Sequence, residues 1–446
     1  MRGKVHIQNY LTFIFSLNNL IYMKLLLIPL FLLSLSTVPE ELEKEMNLTL
    51  SRSIASLAHD PSLLDRVIGK GEIVIIDETI QEIPWILSAG IRVNSSKEKI
   101  WNAIADFKNY NKWVPSCQSV DVTEWNERVV DLEYHLGFKF ILLPFTVDYK
   151  VRHYHHPPIR TDWVGMGGEI AKTYGWFENI PVKENRTLFF YNVWAIPGSG
   201  FLKKLYEKYP FLDMGISISA GAVYARKLKD YVEKENPASN EGEGESILSE
   251  EDEVKVMREF AKKGPVLLFS LGQGNIMDIS SWIRLKVPPE RAFDIISDFS
   301  SYKYFEQMLE KVKVQEKTDN SAKVEFKYDV RIAIIKVAPH FTLEYKLEKP
   351  SLITWRCIEG DKYIPQGFFR FYPMDDGTTL VNYKVTYDAN ELGKLVSLVL
   401  KILPEGNLAL NSYITQQTLR DLRGWAELPQ DKKMELMKKG KKKGYE

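Results

Sequence analysis

The chain repeats itself, and that repeat limits its fold more than any single motif. Ile91–Tyr110 and Ile283–Tyr302 align without a gap at an offset of 192 residues, and both close on Asp-Phe-x-x-Tyr. Ile91/Ile283, Arg92/Arg284, Glu98/Glu290, Ile104/Ile296, Asp106/Asp298, Phe107/Phe299 and Tyr110/Tyr302 are identical. The offset holds further on: "YGWFENIP" (174–181) lies on "QGFFRFYP" (366–373), and "TLFFYNV" (187–193) on "TLVNYKV" (379–385). Near the ends it becomes 194, with Pro210 on Pro404. A unit of this length exceeds the solenoid repeats of about 20–50 residues. It reads as a duplicated domain with its own core.

The seam between the copies is acidic, rich in Gly and Ser, and free of aromatics: "EKENPASNEGEGESILSEEDE" (233–253). Such composition makes a flexible linker, which would leave the two halves free to move independently. Ser249 offers an N-cap for the helical run that follows. The domain reading is 1–36 as signal peptide or anchor, 50–236 as domain 1, 237–250 as linker, 251–430 as domain 2 and 431–446 as a basic tail.

Residues 10–38 are largely apolar. "MKLLLIPLFLLSLSTVPEE" (23–41) has a basic start at Lys24, an apolar run, and small Ser34 and Ser36 before a cut after Ser36. That is the pattern of a secretory signal read from Met23; the alternative is an uncleaved anchor. Either places the body outside the cytoplasm, in a periplasm-like compartment. Asn47, Asn94 and Asn185 head N-x-[ST] triplets, whose plain reading is chance.

Lys+Arg and Asp+Glu are both 59, so the formal net charge is zero, which gives no support for nucleic-acid binding. The tail (431–446) is basic and offers a contact for an anionic membrane surface, against the plainer reading of a solvated end. Cys117 and Cys357 are too far apart in sequence to form a framework or a metal knuckle and read as small buried hydrophobes.

Within the second copy, "DISSWIRLKV" (278–287) reads as a strand and Pro288-Pro289 starts a helix. A second short helix follows at about 301–310, then six β runs. These are 311–318, 322–330, a long 334–348 with an edge or bulge at Pro339, 352–358, 367–373 and 379–387. A helix from about 406 to 427 ends the unit, and a leader (61–76 and 254–269) precedes each copy as a packing helix and an extra strand. The order β, two short helices, six antiparallel strands, long helix makes a curved sheet around one helix, with a cavity between them.

That order, with "ERAFDIISDFSSY" and "EKIWNAIADFKNY", the two aromatic strands, the Gly377-Thr-Thr-Leu hairpin and the terminal "LRDLRGWAE", resembles the START-like (SRPBCC, helix-grip) superfamily. Polyketide cyclases/dehydrases, StAR-related lipid-transfer domains and coenzyme Q-binding proteins belong to it. The resemblance covers about 85–234 and 277–428 and implies an α+β fold of two tandem helix-grip domains, each a curved antiparallel sheet wrapped around a long C-terminal helix. It fixes the fold and leaves function open.

Two sets of residues invite a catalytic reading. Asp106 and Asp298 stand between predicted helices, where an acid caps the second helix; that reading outweighs general acid/base chemistry. "HYHHPP" holds His153, His155 and His156, for which an exposed strand end outweighs a metal site. "GMGGE" (165–169) reads as a β turn rather than a phosphate loop. No catalytic residue, metal or cofactor is expected.

The positive signal is an aromatic inner surface. In domain 1 it comprises Trp163, Phe177, Phe189, Tyr191 and Val193, with Ile216, Ala220 and Tyr224 from the helix. In domain 2 it comprises Phe326, Tyr328, Trp355, Phe369, Phe371 and Tyr383, with Ile414 and Gln417 from the helix. Such a lining suits an apolar ligand with a small polar head; ordinary core filling is the rival reading. "GISISAGAVYA" (215–225) is built of small residues, which predicts the roomier pocket in domain 1. "NLALNSYITQQT" (407–418) is bulkier, which predicts a smaller pocket in domain 2 with Gln417 as polar anchor. The expectation is a monomeric, exported binding or transfer protein for a hydrophobic small molecule such as a lipid or isoprenoid quinone. The alternatives are a cyclase/dehydrase-type enzyme and a non-binding interaction module.

Overall fold

The computed structural model describes residues 53–54, 57, 60–79, 85–114, 116–140, 143–197, 199, 203–204, 207, 211–235, 248–271, 276–332, 335–392 and 404–439. The signal or anchor (1–36), residues 237–247 of the linker and the last residues of the tail lie outside these. Among the described residues no helix is long and apolar enough to cross a membrane.

The first repeat opens with α1 (Pro61–Ile68) and β1 (Glu72–Asp77). It continues through β2 (Ile86–Val93), α2 (Lys97–Ala105) and a 3-10 turn at Phe107–Lys112. Then come β3 (Cys117–Asn126), β4 (Val129–Phe140), β5 (Leu143–His156), β6 (Arg160–Gly168), β7 (Ile170–Lys183), β8 (Arg186–Pro197) and α3 (Phe211–Glu235). The second repeat runs α4 (Glu250–Ala261), β9 (Val266–Leu271), β10 (Ile276–Leu285), α5 (Pro289–Ser297), a 3-10 turn at Phe299–Ser301 and α6 (Tyr302–Phe305). It continues with β11 (Leu309–Lys317), β12 (Ser321–Tyr328), β13 (Val330–Ile332), β14 (Ile335–Val337), β15 (His340–Glu348), β16 (Leu352–Gly360), β17 (Gln366–Pro373), β18 (Thr379–Asp388), α7 (Pro404–Glu427) and α8 (Gln430–Lys439).

Local chemistry sets the element ends. Asp60 accepts from the N–H groups of Ser62 (2.9 Å) and Leu63 (3.1 Å) at the start of α1. Ser249 accepts from Asp252 N (3.1 Å) at the start of α4. Pro288 and Pro289 begin α5. The "GMGGE" stretch is the tight turn from β6 into β7, with Gly167 and Gly168 at φ 128° and 104°. The expected strand 334–348 is broken at Ala338-Pro339 into β14 and β15. Pro339 has no N–H to give a ladder, so the short β13–β14 ribbon folds off the main sheet.

Each repeat forms a curved antiparallel sheet around its long helix, and the two sheets are one. Sixteen strands run in the order β11-β12-β15-β16-β17-β18-β10-β9-β1-β2-β8-β7-β6-β5-β4-β3. The join is the pair of leader strands: Ile73 faces Leu268 and Val74 faces Leu267 in antiparallel register. This corrects the expectation of independently moving halves. A flexible linker cannot uncouple domains whose backbones share a ladder.

The central strands are buried on both faces, which explains why "EIVIID" and "VLLFSL" are continuous apolar runs rather than alternating ones. On one face Leu64 and Val67 of α1 and Met257 and Phe260 of α4 cover Ile73, Ile75, Val266 and Leu268. On the other, Val74, Ile76, Ile218 and Ala222 of the first repeat share a core with Leu267, Phe269 and Ile279 of the second, and α3 packs against α7. Glu78, just after β1, accepts from Arg420 (2.6 Å) and Arg423 (2.8 Å) of α7.

Candidate functional site

The repeated Asp-Phe-x-x-Tyr is a structural bracket whose work falls to the tyrosine. The buried Tyr302 hydroxyl donates to the carbonyl of Ile296 (2.8 Å), an orphan of the last turn of α5. Tyr110 does the same to Ile104. The acids stand where a cap belongs, but their carboxylates accept from side chains instead of backbone: Asn109 Nδ2 on Asp106 (2.6 Å) and Ser300 Oγ on Asp298 (2.7 Å). Their backbone carbonyls close the turn, accepting from Asn109 N (3.0 Å) and Ser301 N (3.0 Å).

The histidines are a correction. His153 and His155 are 2% and 4% exposed, inside the first core, and only His156 is exposed. The alternation of β5 points both inward: His153 stacks on Trp163 (5.9 Å) and His155 on Phe107 (5.9 Å). Burial, then the neighbouring His155, pushes His153 well below the ordinary range. Burial, then His156, lowers His155 to about 4. Cys117 is buried, with its thiol pushed up to about 11 by burial, whereas Cys357 is only partly covered.

In the first repeat the expected pocket residues fill one another's space. Trp163 lies 4.7 Å from Phe177, and Phe177 lies 5.9 Å from Phe189. Tyr191 stacks on Tyr224 (4.6 Å). Val193 is half-buried between the two cores. Ala220 is exposed, so it lines nothing, and the Ile216 side chain lies outside the described residues. Small residues on α3 bring the helix down onto the sheet: a Cβ on Gly221 would stand 2.7 Å from Leu87 Cδ2.

A cavity of about 60 Å³ lies in the second repeat, between the sheet and α7. Phe326, Tyr328, Trp355, Phe369, Tyr383 and Ile414 line it. Phe371 does not, because its ring packs on Phe293 of α5 (5.6 Å). Gln417 does not either: its amide donates to Asp421 one turn on (2.8 Å), and Thr418 takes the wall position. Asp421 is 2% exposed and also accepts from Gln307 N (3.1 Å). Burial pushes its carboxyl up to about 7 against those hydrogen bonds.

Sequence reasoning missed Glu306. It ends α6, is 1% exposed, and stands on the cavity wall beside Tyr302, Tyr328, Tyr345 and Tyr383. Burial holds the Tyr302, Tyr328 and Tyr383 hydroxyls well above the usual phenol range. The signal was available in the repeat itself: at the same offset of 192, the first copy has Val114. Likewise Tyr224 stands, at an offset of 194, where the second copy has Thr418. A tyrosine ring fills in one repeat the space that a threonine leaves in the other.

A larger hollow of about 420 Å³ lies beside α4, on the opposite face of the sheet. Its charged walls answer each other: Glu250 accepts from Arg370 (2.7 Å) and Tyr372 (2.7 Å), and Lys70 meets Glu253 (2.5 Å). The aromatic-lined cavity is the better candidate site despite its smaller volume.

This architecture defines a class: paired helix-grip domains, each with a helix laid across a curved sheet. A family model described as polyketide cyclase/dehydrase and lipid transport matches residues 93–167 and 285–409, one stretch per repeat. Each repeat of the chain therefore carries a stretch that resembles this family. Among solved structures it is similar to the di-domain ARO/CYC BexL at 11% identity, covering 77% of this chain and 99% of that one, with a TM-score of 0.29. It is similar to a STAR-related lipid transfer protein from Xanthomonas axonopodis at 12% identity, 37% and 93% coverage, TM-score 0.28. A START superfamily protein from Mycobacterium smegmatis matches at 16% identity, 33% and 97% coverage, TM-score 0.25. No curated protein matches the chain.

Proposed function

We propose that the protein binds a hydrophobic small molecule in the second repeat, between the sheet and α7, and that the first repeat is its fixed support. The observation that carries this is the asymmetry between the copies. Thr418 and aromatic walls line a cavity where Tyr224 stacks on Tyr191 in the other copy. The mechanism is sequestration, driven by apolar burial at about 25 cal/mol per Å². A cavity of about 60 Å³ holds about four to six waters at 10–15 Å³ each. A lipid- or quinone-sized ligand therefore enters only as the walls part. The apolar stretch at 10–38 supports an exported protein acting on such molecules outside the cytoplasm, and the basic tail supports membrane contact.

Solvent extraction of the purified protein, followed by mass spectrometry, tests this. A stoichiometric apolar compound is expected, and a Thr418→Tyr variant should lose it. An empty protein that takes up no lipid on addition defeats the reading. Glu306 supports a second reading, an enzyme of the cyclase/dehydrase kind, because a buried carboxylate among phenols is the setting for proton transfer.

A further inference from the structure

We infer that the hollow beside α4, on the outer face of the second repeat, is a second binding site, and that it takes a small zwitterion: a molecule with one ammonium group and one carboxylate or phosphate. This site is separate from the cavity under α7 and does not depend on a ligand there.

Strand alternation builds the site. Ile279 and Ile283 of β10 join the core with Val381 and Val385 of β18, so Asp278, Ser280 and Trp282 face outward beside Asn382 and Lys384. The hollow measures about 420 Å³, within the roughly 300–1,000 Å³ of small-molecule sites. Two of its cations are spent, Lys70 on Glu253 (2.5 Å) and Arg370 on Glu250 (2.7 Å). One charge of each sign is left over. Lys384 is exposed and has no hydrogen-bond or ion-pair partner among the described residues. The Asp278 carboxylate accepts from the Thr386 hydroxyl (2.5 Å) and meets no cation among the described residues. Asp278 faces Thr386 and Lys384 faces Ser280 across the β10–β18 ladder, so the two charges stand one diagonal apart, about 7–8 Å between their backbones.

The uncharged groups divide the same way. The Asn382 side-chain carbonyl accepts from Ser280 Oγ (3.0 Å), which leaves its amide N–H groups without a partner among the described residues. Trp282 faces Asn382 across the ladder, and its buried indole N–H finds no acceptor among the described residues. Unspent donors therefore neighbour one another at Lys384, Asn382 and Trp282, where a carboxylate or phosphate would be held. The unspent acceptor is at Asp278, opposite the exposed Ser270 of β9, where an ammonium would sit. Leu268 and Phe368 flank the pair, opposite Ser280 and Lys384, and give an apolar side chain its contact.

The first repeat is an internal control. At the offset of 192, Lys384 and Asp278 correspond to Asn192 and Ile86. That face is closed: Asn192 and Trp176 are 0% and 2% exposed, and Ile54 N–H donates to Glu178 (3.0 Å), the counterpart of Arg370. The fold itself needs neither charge, and the copy that carries both is the one whose outer face is open.

The test is calorimetric titration of the full-length chain with L-phenylalanine, 3-phenylpropionate and phenethylamine. These share one skeleton and carry both charges, the negative alone and the positive alone. Phenylalanine should bind about tenfold or more tighter than either, the worth of one more hydrogen bond to a charged group. Lys384→Asn, which installs the first copy's residue, should bring phenylalanine down to the level of phenethylamine. Asp278→Asn should bring it down to that of 3-phenylpropionate; if that variant does not fold, Asp278→Ile installs the first copy's residue there and should do the same. Phosphoethanolamine, free and as phosphatidylethanolamine in phosphatidylcholine vesicles, decides the source. Binding tighter than that of phenylalanine assigns the site to a lipid headgroup, weaker binding assigns it to an amino acid, and either upholds the zwitterion. The inference is overturned if neither zwitterion binds, if both bind no tighter than the single-charge compounds, or if the Lys384 and Asp278 variants leave the ratios unchanged. Each of those results leaves the cavity under α7 standing as a separate site.

Discussion

Tyr224→Thr should carve into the first repeat the cavity that the second already has. Tyr224 stacks face to face on Tyr191 (4.6 Å) and Phe177 (5.5 Å) and meets Trp113 edge-on (5.1 Å). Replacing a buried aromatic by a small side chain costs about 3–5 kcal/mol. Two lost stacked pairs account for about 1–3 kcal/mol of that. Tyr224 is only partly buried, so the expected loss is near the lower end, about 3 kcal/mol. Against a total of about 5–15 kcal/mol the variant should stay folded. Urea unfolding should show a lower midpoint at unchanged slope, and xenon or benzene should bind a new site in the first repeat, since an apolar void stays dry. A loss under about 1 kcal/mol with no gas uptake would refute the claim that this ring decides which repeat is hollow.

Other outcomes follow from the same geometry. Glu78→Ala removes the shared partner of Arg420 and Arg423. With both arginines partly exposed, the expected loss is about 1–2 kcal/mol, and the calorimetric transition should broaden without splitting, because the β1–β9 ladder remains; two separate transitions would contradict a shared sheet. Tyr302→Phe orphans the Ile296 carbonyl and should cost about 1–3 kcal/mol by urea midpoint, whereas Asp298→Asn should shift it by under about 0.5 kcal/mol. His155 has a folded pKa of about 4 against an ordinary 6.5, so its contribution is full above pH 6.5 and is lost as pH falls toward 4. His155→Leu, the residue of the second copy, should flatten the urea midpoint between pH 7.5 and pH 5.

Some of the site was legible before folding and some was not. Trp355, Phe369 and Tyr383 were readable because strand alternation puts them on one face, and the cavity lies on that face. Glu306 was legible only through its alignment on Val114, because by itself a Glu between a short helix and a strand looks like a solvated end. Gln417 and Thr418 are neighbours on a helix, where one step of about 100° decides which reaches the wall. His153 and His155 looked terminal because prolines follow, but β5 runs to His156 and packs His155 on Trp101 of α2 and His153 on Phe107 and Trp163. Small residues on α3 were compatible with a void or with close approach; packing on Leu87 and on α7 chose the second.

By itself the sequence determined that there are two copies, where each begins, the order of strands and helices, and which strand faces are apolar. These follow from periodicity and from a match at constant offset, which are local properties of the chain. Tertiary structure alone decided that β1 pairs with β9 and fuses the sheets, that α3 lies on α7, that Tyr224 stacks on Tyr191, and that Glu306 is inside. Those are contacts between residues far apart in sequence, and their outcome depends on volumes and directions that no local pattern encodes.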